Sequence, residues 1–126
     1  MTSVAGTEFW MAPEALKLFL SSSPPSKKYN LTKMDVFSLG LISLFCLDTE
    51  GFLKIQKIAN RDRHTLESFL NNVKTKVPIQ FFYLLRCMLS FTQASRPSLT
   101  ELHQDFLTFD FLAISTVSLL NILYKF

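Results

Sequence analysis

The chain has 126 residues, 48% of them hydrophobic and 18% charged, with a formal net charge of +3 and two cysteines. That length fits one domain with one core, that composition excludes a disordered chain, and so small and scattered a positive charge gives no basis for nucleic-acid binding. The opening MTSVAGTEFW has no basic n-region and no long apolar run, so these residues are not expected to be a secretory signal peptide. Residues 1–11 show no periodicity and read as loop. Pro13 then suits the first position of a short helix to about Leu20, with Glu14 at the favourable end of its dipole. Ala15, Leu16, Phe19 and Leu20 form its apolar face. Four serines and two prolines between Ser21 and Ser26 end that helix in a loop running to about Leu31.

Thr32 to Leu47, TKMDVFSLGLISLFCL, dominates the chain. After Asp35 it carries no charge until Asp48. Its apolar residues point in every direction at helical spacing, which marks a helix buried on all sides. It is shorter than the ~20 residues that a membrane span needs. Thr32, with Asp35 three residues on, fits a capping box at its start. Gly40 lies mid-helix, where it costs ~1 kcal/mol against Ala, so a bulky neighbour is expected to pack close there.

Asp48 to Gly51 reads as a turn. Phe52, Ile55, Ile58 and Ala59 recur at helical spacing, and Asn60 to His64 is a polar break. Thr65 to Asn72, with Leu66, Phe69 and Leu70, is another short helix. A basic loop ends at Val77-Pro78. Ile79 to Phe91 reads as a longer helix with Phe82, Leu85, Cys87, Met88 and Leu89 inward. Thr92 to Pro97 is a loop, and Ser98 precedes a last helix from Leu99 to Phe109. Cys46 and Cys87 read as reduced core residues of an intracellular, cytoplasmic protein. His64 and His103 are isolated and carry no metal or catalytic signal. No stretch alternates with period two, so the expected class is all-α.

Three motifs resemble one family. Gly6-Thr7-Glu8-Phe9-Trp10-Met11-Ala12-Pro13-Glu14 is similar to the end of a protein-kinase activation segment, the GTxxYMAPE pattern of serine/threonine kinases. Lys33 to Gly40, KMDVFSLG, is similar to the SDVWSLG stretch that opens the family's buried central helix. Cys87-Met88-Leu89 followed by Ala94-Ser95-Arg96-Pro97-Ser98 resembles the CL…xxRPS stretch before its last helices. The three stand in family order and cover roughly residues 5 to 107. Phe37 stands where the family usually has Trp, Trp10 where it has Tyr, and no GxxPF stretch follows the central run.

The resemblance implies a partial large lobe over residues 1–109, built around a buried central helix, followed by an apolar tail at 110–126. Thr7 would be the hydroxyl that bonds the catalytic acid and a nearby lysine. Phe9, Trp10 and Met11 would wall the pocket for a substrate residue. Glu14 and Arg96 would form a buried ion pair tying the activation segment to the lobe base. Asp35 would accept from the backbone of the catalytic loop, and Gly40 would sit in the central helix. No glycine-rich loop, VAIK-like lysine, HRD loop or DFG site occurs in the chain. The HRD and DFG positions would lie upstream of Gly6. The parent family uses ATP and Mg to phosphorylate protein hydroxyls; the expectation for this chain alone is no catalytic residue, no cofactor and no metal site. Its partner would be a protein substrate or another protein.

A second reading is a non-catalytic helical interaction module derived from a kinase lobe. A third is a small tail-anchored membrane protein, because Phe106 to Phe126 is almost all apolar, broken by Asp110, Asn121 and Lys125. That tail could instead pack over bare helical surface, or be non-native.

Overall fold

The computed structural model describes residues 7–21 and 30–108, and every regular element among them is helical. A 3-10 helix at Thr7–Trp10 leads into α1 (Pro13–Ser21). Then come α2 (Leu31–Leu47), α3 (Thr49–Ile55), α4 (Arg63–Val73), α5 (Ile79–Met88) and α6 (Leu99–Thr108). Short 3-10 turns at Lys74–Lys76 and Gln93–Ser95 lie between α4 and α5 and between α5 and α6. Among the described residues the class is all-α, as the absence of strand patterning leads one to expect. No helix among them is long and apolar enough to cross a membrane. The tail at 110–126 lies outside the described residues.

α2 is the axis. Val36, Phe37, Leu41 and Leu44 are wholly buried, and the helix packs on α3, α5, α6 and the 3-10 helix. Each such side chain contributes ~1.5–3 kcal/mol relative to exposure. Its missing amphipathicity therefore matches its burial, with Leu31 and Leu39 as outliers at 74% and 43% exposure. Gly40 is the contact point with the end of α5. A Cβ there would meet Leu89 Cγ and Cδ2 at 2.8 Å and Met88 Cβ at 3.4 Å.

Several boundaries differ from the sequence reading, each for a local reason. The cap of α2 is Asn30, not Thr32: Asn30 Oδ1 accepts from the Thr32 and Lys33 N–H groups at 3.0 and 3.3 Å. The Thr32 hydroxyl donates to the same oxygen at 2.6 Å. With the helix starting at Leu31, Asp35 falls beyond the first turn, is exposed, and cannot close a capping box.

Asp48 to Gly51 is not an open turn. Asp48 donates its N–H to Leu44 O, ending α2, and its carboxylate accepts from Gly51 N–H at 3.0 Å, starting α3. Glycine fits here because a Cβ would collide with that carboxylate.

α5 stops at Met88, three residues short of the expected end, because Leu89 leaves the helix with φ −95° and ψ 15°. Cys87 is exposed rather than inward; Leu84 takes the core position. Cys46 is buried, as read.

Candidate functional site

Six of the residues singled out in the sequence, Thr7, Phe9, Trp10, Met11, Glu14 and Arg96, lie on one segment, Thr7 to Glu14, or hold it. α1 begins directly after it, so Glu14 lies in the first turn of α1. From there its carboxylate meets the Arg96 guanidinium in a fork. Arg96 Nη1 donates to Glu14 Oε2 at 2.6 Å and Nη2 to Oε1 at 2.7 Å. The two are 82 residues apart in the chain. The Arg96 side chain is fully buried and that of Glu14 is 14% exposed.

Two further guanidinium N–H groups are also used. Arg96 Nη1 donates to Lys33 O at 3.1 Å and Nε to Ser90 O at 2.8 Å. The cation lies 5.0 Å from the Phe37 ring centroid. Lys33 returns the contact by donating from Nζ to Arg96 O at 2.7 Å. A buried cation needs partners of this kind, since without them its charge would stand desolvated and uncompensated.

The segment itself is pinned from two further elements. Ser38 on α2 donates to Trp10 O at 2.7 Å. Asn60, in the link between α3 and α4, donates from Nδ2 to Glu8 O at 2.7 Å and Met11 O at 2.8 Å. Trp10 stands edge-on to Phe45, with centroids 5.8 Å apart, and tilted over Phe52 at 5.6 Å. Phe52 in turn meets Phe69 of α4 at 5.9 Å, so the segment is joined through aromatic rings to the far side of the core.

Thr7, Phe9, Trp10 and Met11 are thus together on one short stretch. Thr7 is exposed and the other three are half-buried. Glu14 and Arg96 are brought together; Gly40 lies against Leu89. Asp35 joins none of these: it is exposed on α2, away from the fork and the Thr7 to Met11 stretch. Among those residues no group of three His, Cys, Asp or Glu side chains could hold a metal ion. A cleft between α4 and α5, lined by Arg63, Leu66, Arg86 and Phe91 among others, shares no residue with the segment.

Sequence reasoning missed Ser38 and Asn60 as the pins of the segment, and Lys33 as a partner of Arg96. Ser38 left a trace, as a hydroxyl inside an apolar run. Asn60 left none, since it opens a run of polar residues that otherwise face solvent. Comparison with protein-family models, with curated proteins and with solved structures returned no match.

Proposed function

We propose that this chain is a partial protein-kinase large lobe, the substrate-side helical portion of a serine/threonine kinase. The parent activity would be transfer of the γ-phosphate of ATP to protein hydroxyls, in a cytoplasmic setting. The observation that carries the reading is the Glu14–Arg96 fork, which joins two of the three resembling motifs around the third. Lys33 and Phe37, at the head of the central run, complete the same cradle. In such a lobe the fork would hold the segment that faces the protein substrate, and Phe9, Trp10 and Met11 would form part of its wall.

The reading also sets what this chain does not do by itself. Phosphoryl transfer needs a phosphate-cradling loop, a positioned lysine, metal-binding carboxylates and an acid that orients the hydroxyl. None of these motifs occurs in the sequence. Titration with Mg-ATP is expected to leave the thermal midpoint unchanged; a saturable rise would overturn that expectation. The parent activity is tested by the transcript upstream of the Met1 codon. An in-phase frame encoding HRD and DFG motifs supports the reading, and an upstream frame lacking both overturns it.

One observation favours a second reading, a non-catalytic interaction module. Leu39 is 43% exposed on the central helix, with Ile42 half-buried nearby, and so leaves apolar surface on the axis of the fold. A stable monomer of this length, paired with an upstream frame without catalytic motifs, selects that reading.

A further inference from the structure

Three backbone carbonyls in one turn, those of Glu8, Trp10 and Met11, accept from side chains of distant elements. Ser38 takes one and Asn60 takes two. The bond that closes the turn, Met11 N–H to Glu8 O, is long at 3.4 Å, so these side-chain donors carry much of its hydrogen bonding. Asn60 is 1% exposed and sits 52 and 49 residues from the carbonyls that it binds. Its amide has one workable orientation, because turning it over would set Oδ1 against both carbonyl oxygens. The neighbouring Ala59 is wholly buried, so the link from α3 to α4 is seated in the core at that point.

We propose that Asn60 is a positioning residue for a protein-binding ledge made by Thr7 to Met11. Three carbonyls of the ledge, those of Glu8, Trp10 and Met11, are occupied inward, Trp10 is braced by Phe45 and Phe52, and Thr7 remains exposed. A ledge set in advance spares an incoming chain the cost of ordering it. Asn60 never touches the partner in this scheme; it acts through the backbone of residues 8 and 11. That the partner is a peptide presenting Ser or Thr rests on the kinase reading above. The lock itself does not.

Trp10 is the sole tryptophan of the chain and reports directly on the ledge. In Asn60→Asp the side chain keeps its shape but loses both N–H donors. Acrylamide quenching of Trp10 is expected to rise at least twofold while the helical far-UV signal is kept. Asn60→Ser, which adds no charge, is read in the same way should the first variant lose that signal. In the unmutated protein the Asn60 NH2 protons should exchange with solvent at least tenfold more slowly than those of exposed Asn71 and Asn72. Unchanged quenching in a helical variant, or equal exchange rates, overturns the lock. Retention of the unmutated chain on an array of Ser- and Thr-centred peptides, weakened at least fivefold in the variant, supports the ledge as a peptide site. No retention anywhere, with the quenching change intact, overturns the peptide assignment and leaves Asn60 as the lock.

Discussion

Arg96 concentrates more of this structure than any other side chain. It is the bulkiest fully buried one, and it binds a carboxylate, two backbone carbonyls and a ring face at once. Arg96→Leu strands the Glu14 carboxylate in a mostly dry site and is expected to cost about 3–5 kcal/mol in urea unfolding. Arg96→Lys keeps the charge but cannot span a fork plus two carbonyls, so most of that loss should remain. A loss below about 1 kcal/mol for Arg96→Leu would place the pair with exposed ion pairs and remove its structural role. Asp62 makes a smaller, pH-dependent contribution. The Thr65 hydroxyl donates to its carboxylate at 2.9 Å and holds its pKa below the ordinary value, with the His64 and Thr65 N–H groups adding to this. A depressed folded-state pKa means stability that is complete above the unfolded-state pKa and is lost as pH falls through the folded one. Acid unfolding of the unmutated protein should therefore steepen below the usual carboxylate range. Asp62→Asn, which still caps α4, should flatten that part of the curve; an unchanged acid limb would remove Asp62 from it.

At the scale of elements, α2 was legible and its edges were not. Its length and burial follow from an apolar run too uniform for a surface stripe. Its cap depends on a competition between two good capping residues, Asn30 and Thr32, that stand two positions apart. The competition is settled by tertiary contact: Asn30 N–H donates to Gln93 Oε1 at 3.0 Å, which fixes the chain ahead of the helix. Asp48 misled in a similar way, since a residue that ends one helix and caps the next looks like any polar turn. Gly40 was legible as a packing site, and it yields a prediction at this scale. Gly40→Ala gains ~1 kcal/mol of helix propensity. The new methyl, however, would press on Leu89 Cγ at 2.8 Å, and Leu89 is only 3% exposed, with little room to retreat. Overpacking of that kind typically costs ~1–3 kcal/mol, so the net effect is destabilising. In the Leu89→Ala background the same change should become neutral or favourable. A Gly40→Ala protein more stable than the parent would show that α5 yields at this contact.

Over the described residues, one buried cluster runs from Ala12 to Leu102 and draws on α2 to α6, with Ala15 and Leu18 of α1 packed against it, so these residues should unfold as a unit. That cluster was readable as a list of apolar positions in the sequence, because helical spacing alone selects Leu66, Phe69, Leu70, Phe82 and Leu85. What spacing cannot give is the tie between the first residues and the body. The stretch from Thr7 to Ser21 is joined to the rest by the Glu14–Arg96 fork, by Ser38 and Asn60, and by the Trp10 rings, none of which has a local period. Trp10 fluorescence watches that stretch, and far-UV dichroism watches all the helices. In the unmutated protein the two urea transitions should coincide. In Glu14→Gln, which removes the charge but keeps the shape, the fork weakens and the remaining pins hold fewer bonds per residue. The Trp10 transition should then move to lower urea than the dichroism transition, because α2 to α6 retain their own contacts. Separate transitions in the parent would mean that the stretch from Thr7 to Ser21 docks as an independent unit. Coincident transitions in both proteins would mean that the fork is not what joins it to the core.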